Sequence, residues 1–371
     1  MRIALYAPMK PPTHPVPSGD RAMARLIVAA LSRMGHEVTL ASTLRSYDGR
    51  GDRMRQHRLA RRGAAEAERL VGTWAEDRPD LWFTYHLYHK APDHLGPRVA
   101  ETFELPYVVA EASVARKRRR GPWAAGFALS LAALARADAL MPVTVEDAQG
   151  LAEAGIPRRR MVALPPFLDT APYDRARRGT KRRELARHGL DPAKTWAVAV
   201  AMMRPGDKMA SYRVLAEAVR RLDVSRMELL VAGEGAGRAE VETLFAGRAV
   251  LLGRIPPRSL PALLAACDLC LWPAVNEAYG MALLAAQAAG LPVVAGRARG
   301  VPEIVIDGET GLLALEGDAE AFAEAAAELI ADDERRAAMA RAAWRHVRLR
   351  HGMEAACRAL DEALTVARRA R

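Results

Sequence analysis

Two basic residues follow the first apolar run in the second half of the chain. Arg204 and Lys208 stand four residues apart in MMRPGDK, which overlaps the end of the run 196–202. Ligands of parallel-sheet domains bind beyond the carboxyl ends of strands. Two fixed cations at such a position could hold a diphosphate and stabilise the charge that develops on it as it leaves. A solvated basic turn would have the same short pattern, so the spacing alone leaves both interpretations open.

A second candidate region combines a carboxylate with the expected start of a helix. In NEAYGMALLAAQAAG, a loop containing Asn276, Glu277, Tyr279 and Gly280 precedes a helix that begins near Met281. Free amides and the positive end of the helix dipole favour an anion at that point. Glu277 could accept hydrogen bonds from sugar hydroxyls, or it could cap the helix.

A glycine-rich turn separates another apolar run from a helix. VAGEGAGRAEVETLF contains Gly233, Glu234 and Gly235, and glycines let the backbone approach a ligand closely. A dinucleotide fingerprint would need a glycine where Arg238 stands, and no acidic residue closes the next strand. The turn is therefore a candidate for ligand binding, whereas a hydride-transfer enzyme is disfavoured.

These candidates depend on short apolar runs that alternate with longer helical stretches, a pattern typical of βαβ units and parallel sheets. The expected strands are 2–6, 37–41, 81–85, 107–110 and 139–143, then 196–202, 227–233, 249–253, 268–273 and 292–296. A chain of 371 residues favours two domains. VALPPFLD, with the polar and irregular TAPYDRARRGTKRR after it, predicts the linker between them.

Charge and composition narrow the class of protein. The net charge is +11, and the 55 basic residues comprise six lysines and 49 arginines. Arginine suits phosphate and carboxylate recognition. The densest positive charge is the run Arg116–Arg120, which could steer an anionic acceptor, meet a membrane surface or be a solvated loop. Nucleic-acid binding is not expected, because aromatic interleaving and a reader motif are both missing.

Targeting, redox and metal signals are weak in this sequence. MRIALYAPMKPP breaks at prolines before an apolar run develops, so no signal peptide is expected. No uncharged apolar stretch has the length of a membrane span, and we expect a cytoplasmic protein. Cys267 and Cys270 fall in an expected strand, where residues three apart point to opposite faces, so they should not share a metal or a disulfide. No Asp or His cluster predicts a metal site, and no cofactor is expected.

Four further stretches carry a family resemblance. RARGVPEIVIDGETGLL looks like G-x-P-E, two hydrophobic residues, one variable residue, then D-G-x-x-G. Residues 251–273 look like a run through L-G and L-P to a strand that ends in proline. VALPPFLD and GHEVTLAS fit the same order. Together they resemble the retaining glycosyltransferases of the family 4 type, the glycosyl transferases group 1, over nearly the whole chain.

The resemblance implies an α/β chain with the GT-B fold, in which two facing Rossmann-like domains with parallel sheets flank a cleft. We expect residues 1–170 to form the acceptor-side domain and residues 171–352 to bind the nucleotide-sugar donor. A helix at 353–371 is expected to pack back on the first domain. The implied activity is transfer of a sugar from a nucleotide diphosphate sugar to an acceptor hydroxyl in glycan, polysaccharide or glycolipid assembly.

The resemblance also assigns roles in the second domain. Arg204 and Lys208 would hold the donor diphosphate, although their spacing is one residue tighter than the family's. Glu277 matches the first glutamate of an E-x7-E pair that lies near the donor sugar. Ala285 stands where the second glutamate binds the nucleotide ribose. Gln287 cannot replace that glutamate, because two residues further along a helix is about 200° around its axis.

In the first domain, the resemblance places Gly19, within Ser18-Gly19-Asp20, near the donor phosphate. Many members carry a histidine after a middle strand, close to the donor sugar. Here His86 in TYHLYHK and Glu111 in YVVAEAS are alternative candidates for that role, and either could instead be structural. The family's mechanism implies retention by front-face attack, in which the leaving phosphate helps to take the acceptor proton, without a metal.

Partners and alternatives follow from the same resemblance. The expected partners are the donor and a sugar or lipid-linked acceptor, with peripheral contact to an anionic membrane as a further interpretation of the basic run 116–120. A nucleotide-sugar epimerase of the same fold is one alternative. The other is a non-catalytic protein that binds a sugar nucleotide, which the alanine at position 285 makes plausible.

Overall fold

The computed structural model describes residues 1–16, 18–177, 182, 186 and 189–371. The chain divides into two compact units, the first formed by Met1–Phe167 with Met353–Arg371 and the second by Leu168–Gly352. Each unit contains its own parallel sheet and its own buried core. The expected α/β fold class is therefore confirmed.

The first unit contains a five-stranded sheet in the order β2-β1-β3-β4-β5. All of its neighbouring strands pair in parallel. The strands are β1 Arg2–Tyr6, β2 Glu37–Ser42, β3 Leu81–Leu87, β4 Tyr107–Ala112 and β5 Ala139–Met141. The strand order reverses direction between β1 and β3, so the loops after these two strands meet at the switch point where ligands of such sheets bind.

Helices cover both faces of this sheet. They are α1 Gly19–Arg33, α2 Arg53–Thr73, α3 Gly96–Thr102, α4 Ala124–Arg136 and α5 Val145–Glu153. Successive side chains of β1 point to opposite faces of the sheet. Ile3 and Leu5 are therefore in one buried cluster, and Ala4 and Tyr6 are in the other. The start of α1 is defined by Ser18, whose side chain accepts a hydrogen bond from the Arg21 amide at 3.3 Å.

The second unit contains a six-stranded parallel sheet in the order β11-β10-β9-β6-β7-β8. Its strands are β6 Thr195–Val200, β7 Met227–Ala232, β8 Val250–Gly253, β9 Leu269–Trp272, β10 Val293–Gly296 and β11 Gly311–Ala314. Here the order reverses between β6 and β9. The loops that leave these two strands therefore lie side by side.

The helices of the second unit connect these strands. They are α6 Ala171–Arg177, α7 Asp207–Arg221, α8 Arg238–Phe245, α9 Leu260–Ala266, α10 Met281–Ala288, α11 Val301–Ile304, α12 Ala319–Ala331 and α13 Asp333–Arg350. The last helix of the chain, α14 Met353–Arg369, belongs to the first unit. Leu360 and Leu364 of α14 are buried in the same cluster as Ile27 and Leu31 of α1.

Three local predictions need correction. The stretch after Leu168 was expected to be irregular, but its first part forms α6; residues 178–181, 183–185 and 187–188 lie outside the described part of the chain. The turn DGETG leads into an additional strand, β11. Cys267 ends α9 rather than standing in a strand, and it is buried, as is Cys270. Burial raises the pKa of both thiols, that of Cys270 to about 12.

Candidate active site

Lys208 and Glu277 meet at the switch point of the second sheet. Lys208 is the second residue of α7, after β6, and Glu277 lies in the loop after β9. Nζ of Lys208 is hydrogen-bonded to Oε2 of Glu277, and the two side chains keep 20% and 19% of their surface exposed. Nζ also lies 5.5 Å from the centroid of the Trp272 ring. The pair presents one cation and one carboxylate to solvent in a fixed geometry.

The first turn of α7 and the loop after β9 share further polar contacts. The Asn276 side-chain amide donates to Asp207 at 3.1 Å, and the Asn276 backbone N–H donates to Glu316 at 2.7 Å. Asn276 itself adopts a positive φ of 49°, which asparagine tolerates better than most residues. Asp207 and Glu316 were not among the residues predicted from the sequence. The position of Asp207 next to Lys208 was a usable signal for it, whereas nothing in the sequence pointed to Glu316.

Arg204 is not part of the Lys208–Glu277 pair. It lies in the exposed loop after β6, and within the described residues its side chain makes no ion pair. Its guanidinium is therefore available to an anion. Lys208 is held in place by the protein before any ligand binds, and Arg204 is not.

Gly280 and Met281 begin helix α10. Gly280 has a φ of 79°, a left-handed conformation that favours glycine. Its carbonyl accepts hydrogen bonds from the Leu283 and Leu284 amides at 2.8 and 3.0 Å. Tyr279, just before it, is partly buried against the core of the second unit. The amides of Met281 and Ala282, the first two residues of the helix, have no acceptor one turn back, as at any helix start, and favour an anion.

Packing within the protein explains why glycines stand in the 233–237 turn. A Cβ on Gly233 would lie 1.8 Å from the Ala201 carbonyl oxygen, and one on Gly235 would lie 2.2 Å from that of Met203. These glycines thus let the turn pack against the loop that leads to Lys208. Glu234 forms an ion pair with Arg238. Among the described residues, the closest contacts of Gly233 and Gly235 are with the protein backbone, and their approach to a ligand stays a prediction.

Ala285 lies on α10 with 6% of its surface exposed, in the buried core of the second unit. Gln287 is fully buried, and its side-chain amide donates to the Ile304 carbonyl at 3.1 Å. The side chain of Gln287 is therefore held inside the second unit. The side chain of Ala285 has no polar group to offer a ribose.

In the first unit, His86, Asp20 and Glu111 form one cluster. Nδ1 of His86 lies 3.1 Å from Oδ1 of Asp20 and 3.4 Å from Oε1 of Glu111, and all three side chains are largely buried. Each contact pairs the ring with a carboxylate, so opposite charges attract when the imidazole is protonated. His86 and Glu111 were alternatives in the sequence analysis; the structure places both in one group and adds Asp20.

The backbone and the electrostatics of this cluster are unusual. His86 and Glu111 have φ values of 62° and 54°, a conformation that non-glycine residues adopt at a cost. Burial by itself would lower the pKa of His86, but Glu111 and Asp20 outweigh it and raise that pKa. Burial would raise the pKa of Asp20, but His86 holds it below its usual value. The imidazolium form of His86 is thus favoured between two carboxylates.

Gly19 is the first residue of α1, beside this cluster. No atom lies within 4 Å of the position that a Cβ on Gly19 would take, so no packing within the described residues demands glycine there. Asp20, the next residue, lies in the first turn of α1 and points a carboxylate at His86. The loop after β1 and the end of β3 therefore join at the switch point of the first sheet.

Comparisons with known proteins bear on both units. Residues 195–332 match the family described as Glycosyl transferases group 1. Over 143 residues the chain is 36% identical to D-inositol 3-phosphate glycosyltransferase of Corynebacterium efficiens, an alignment that covers 36% of this chain and 34% of that protein. The chain thus spans about a third of the length of this curated relative.

Solved structures cover the whole chain. The Anabaena protein Alr3699/HepE, in complex with UDP, is similar with a TM-score of 0.76 at 17% identity, over 98% of this chain and 100% of that one. Sucrose-phosphate synthase from Thermosynechococcus elongatus is similar with a TM-score of 0.76 at 18% identity, over 100% of both chains. In the described part of the chain, no helix combines the length and the apolar character of a membrane span. The chain therefore has the GT-B fold, and its residues 195–332 are similar to the family Glycosyl transferases group 1.

Proposed function

We propose that this protein transfers a sugar from a nucleoside diphosphate sugar, such as a UDP-sugar, to an acceptor hydroxyl. The observation that carries the proposal is the Lys208–Glu277 pair at the switch point of a group 1 glycosyltransferase domain. The UDP in the Anabaena structure and the activity named for the Corynebacterium relative support the same class of donor and reaction.

In this proposal the second unit binds the donor. Lys208 would bind the diphosphate, because its ammonium group is already positioned by Glu277 and Trp272 and needs little reorganisation. Arg204 would close on the same phosphates from its exposed loop, and the amides at the start of α10 would add hydrogen bonds. Glu277 would accept hydrogen bonds from the donor sugar while it continues to hold Lys208.

The first unit would bind hydroxyl groups through His86, Asp20 and Glu111. A protonated imidazole donates, and the two carboxylates accept, so the cluster matches the donor and acceptor pattern of a sugar. We propose retention at the anomeric carbon: the bond to the leaving phosphate breaks, the acceptor oxygen attacks from the same face, and the phosphate oxygen takes the acceptor proton. Cations of the protein, rather than a bound metal, would neutralise the diphosphate, so the rate should not change with a chelator.

Peripheral contact with an anionic membrane is part of the proposal. Arg116, Lys117, Arg119 and Arg120 are exposed in a short segment of the first unit, and such clusters are attracted to anionic lipid. The acceptor would then be a sugar or a lipid-linked group presented at the inner face of the cytoplasmic membrane. This contact needs no spanning helix.

A second candidate is binding without catalysis, which the alanine at position 285 favours. One experiment separates the possibilities: UDP-sugars are incubated with a panel of acceptors, and the products are followed by proton NMR. Transfer with retained anomeric configuration supports the proposal. Binding of UDP without turnover supports the second candidate, and inversion at the sugar C2 in the absence of transfer would show an epimerase.

A further inference from the structure

A cavity of about 460 Å³ opens in the first unit, beside the His86 cluster. It lies between the first two turns of α2, the chain segment 89–94 and the start of α4. Most of its wall is apolar and is formed by Leu59, Ala60, Pro92, Pro122, Ala124 and Leu129. The volume is within the range of pockets that bind small molecules, about 300–1,000 Å³.

The walls of this cavity are held by close backbone packing. A Cβ on Gly126 of α4 would lie 2.2 Å from the His89 carbonyl oxygen, and one on Gly63 of α2 would lie 2.3 Å from Cβ of His94. Helices α2 and α4 therefore approach the segment 89–94 more closely than any side chain would allow. The cavity is a consequence of rigid elements rather than of loosely placed side chains.

His89 lines the cavity as a neutral ring. Burial, and then Lys90 and Arg118, lower the pKa of His89 to about 4. Neither of its ring nitrogens has a hydrogen-bond partner among the described residues. The ring lies between Tyr88, at 5.1 Å between centroids, and Trp123, at 6.1 Å. His89 therefore adds an uncharged ring to the cavity wall.

The rim of the cavity is positive. Arg53 and Lys90 line it. Asp48 also lines it, but its carboxylate accepts hydrogen bonds from the Gln56 side chain at 2.8 Å and from the Arg50 amide at 3.1 Å. Its negative charge remains, but Arg53 and Lys90 outnumber it, so the lining keeps a net positive charge that attracts an external anion.

The cavity is connected to the His86 cluster through one side chain. The Tyr88 ring lies 4.9 Å from that of His86 on one side and 5.1 Å from that of His89 on the other. The Tyr88 ring thus lies between the cavity wall at His89 and the His86 cluster.

We propose that this cavity binds the hydrocarbon chain of an acceptor that carries a phosphate or similar anionic group at the cavity rim. The inference rests on the proposed function, since it names the chemical class of the acceptor. An apolar interior beside an uncharged His89 favours an alkyl or polyprenyl chain over a sugar, and the cationic rim favours an anionic head over a neutral one.

The test uses single-chain alkyl phosphates below their micelle concentrations as probes, with binding to the full chain measured by calorimetry. Each buried methylene should tighten binding about fourfold, until the cavity is filled and the affinity levels off. Hexyl, octyl and decyl phosphate provide the series. Inorganic phosphate, which has no alkyl chain, shows how much the phosphate group binds alone. Octyl glucoside, which has the chain with a neutral head group, shows how much the chain binds without the charge. Equal affinity for all chain lengths, or for octyl glucoside and octyl phosphate, would overturn the proposal.

Two pairs of variants locate the site. Ala60→Trp fills the cavity and should weaken octyl phosphate at least tenfold, whereas Ala64→Trp, an exposed position of the same helix outside the cavity, should not. Arg53→Gln removes a rim charge, so it should weaken the binding of the alkyl phosphates and leave the affinity for octyl glucoside unchanged. Arg61→Gln removes a charge outside the cavity and is its control. Circular dichroism and melting confirm that each variant is folded. Wild-type affinity in folded Ala60→Trp would place the alkyl chain elsewhere.

Measuring UDP binding in the same variants tests the proposed function separately from the cavity assignment. The donor residues lie in the second unit, so Ala60→Trp should bind UDP like the wild type. Loss of alkyl phosphate binding with intact UDP binding supports the cavity assignment. A protein that binds alkyl phosphate in the cavity but no nucleotide sugar would overturn the proposed function and leave the cavity as a lipid site.

Discussion

Nδ1 of His86 lies 3.1 Å from Oδ1 of Asp20, although the two residues are 66 positions apart and leave different strands. His86 is at the end of β3, and Asp20 is in the helix that follows β1. These strands flank the switch point of the first sheet. In the second sheet, Lys208 and Glu277 hold the equivalent places after β6 and β9. Each unit thus has a pair of opposite charges at the point where its strand order reverses.

The His86–Asp20 pair predicts a pH dependence of stability. The raised pKa of His86 means that its contribution is complete below pH 6.5 and is lost as the pH rises through the folded-state pKa. The lowered pKa of Asp20 means that its contribution is complete above pH 3.8 and is lost as the pH falls through its folded-state pKa. Both contributions are present between pH 3.8 and 6.5.

The variant His86→Asn tests this, because asparagine tolerates the positive φ at position 86. We expect it to unfold more easily than the wild type at pH 5, by on the order of 1 kcal/mol, and the difference to shrink at pH 9. Urea titration at the two pH values measures it. His36→Asn is the control: burial lowers the pKa of His36, so its trend should be the opposite. A difference for His86→Asn that does not change with pH would contradict the charge pairing.

Lys208→Ala should weaken UDP binding by about 1.5–3 kcal/mol, the range for a hydrogen bond to a charged group. Calorimetry with UDP measures the change. Lys194→Ala is a matched control, because Lys194 is also a partly buried lysine of the second unit and forms an ion pair with Glu228 at 3.5 Å. Equal UDP affinity in Lys208→Ala and the wild type would remove Lys208 from the diphosphate site.

Ala285→Glu should tighten UDP binding about tenfold, because the carboxylate could accept hydrogen bonds from the ribose. The position is only 6% exposed, so a charge there also lowers stability unless it reaches the surface. Ala285→Gln, of the same size without the charge, separates a new hydrogen bond from filled volume. If folded Ala285→Glu binds UDP no better than Ala285→Gln, position 285 does not contact the ribose.

Binding to anionic vesicles should depend on the segment 116–120. We expect the double variant Arg119→Gln/Arg120→Gln to bind less to phosphatidylserine vesicles in a flotation assay. Wild-type binding should fall steeply with added salt, since the attraction is screened. Arg158→Gln/Arg159→Gln, in another exposed basic run of the first unit, is the control. Equal binding of the wild type to neutral and anionic vesicles would leave the segment a solvated loop.

The α/β fold class and most of the strands could be predicted from the sequence, because each strand is a short apolar run between helical stretches. β11 was missed, since its four residues follow a turn signal and read as part of it. Lys208, Glu277 and His86 could be selected as well. Each is a charged or titratable residue where an apolar run ends, and that position is visible without any contact information.

Which residues touch was decided by the tertiary structure alone. Strand order is a long-range property, so nothing local in the sequence says that β1 pairs with β3 or β6 with β9. This pairing makes partners of Asp20 and His86, and it joins Glu111, an alternative to His86 in the sequence, to the same cluster. Strand pairing also brings Gly233 close to the backbone of Ala201, a contact that the sequence did not predict. Residue type and position along a strand are local properties that can be read from the sequence. Which residues lie close together depends on how the strands assemble into the sheet.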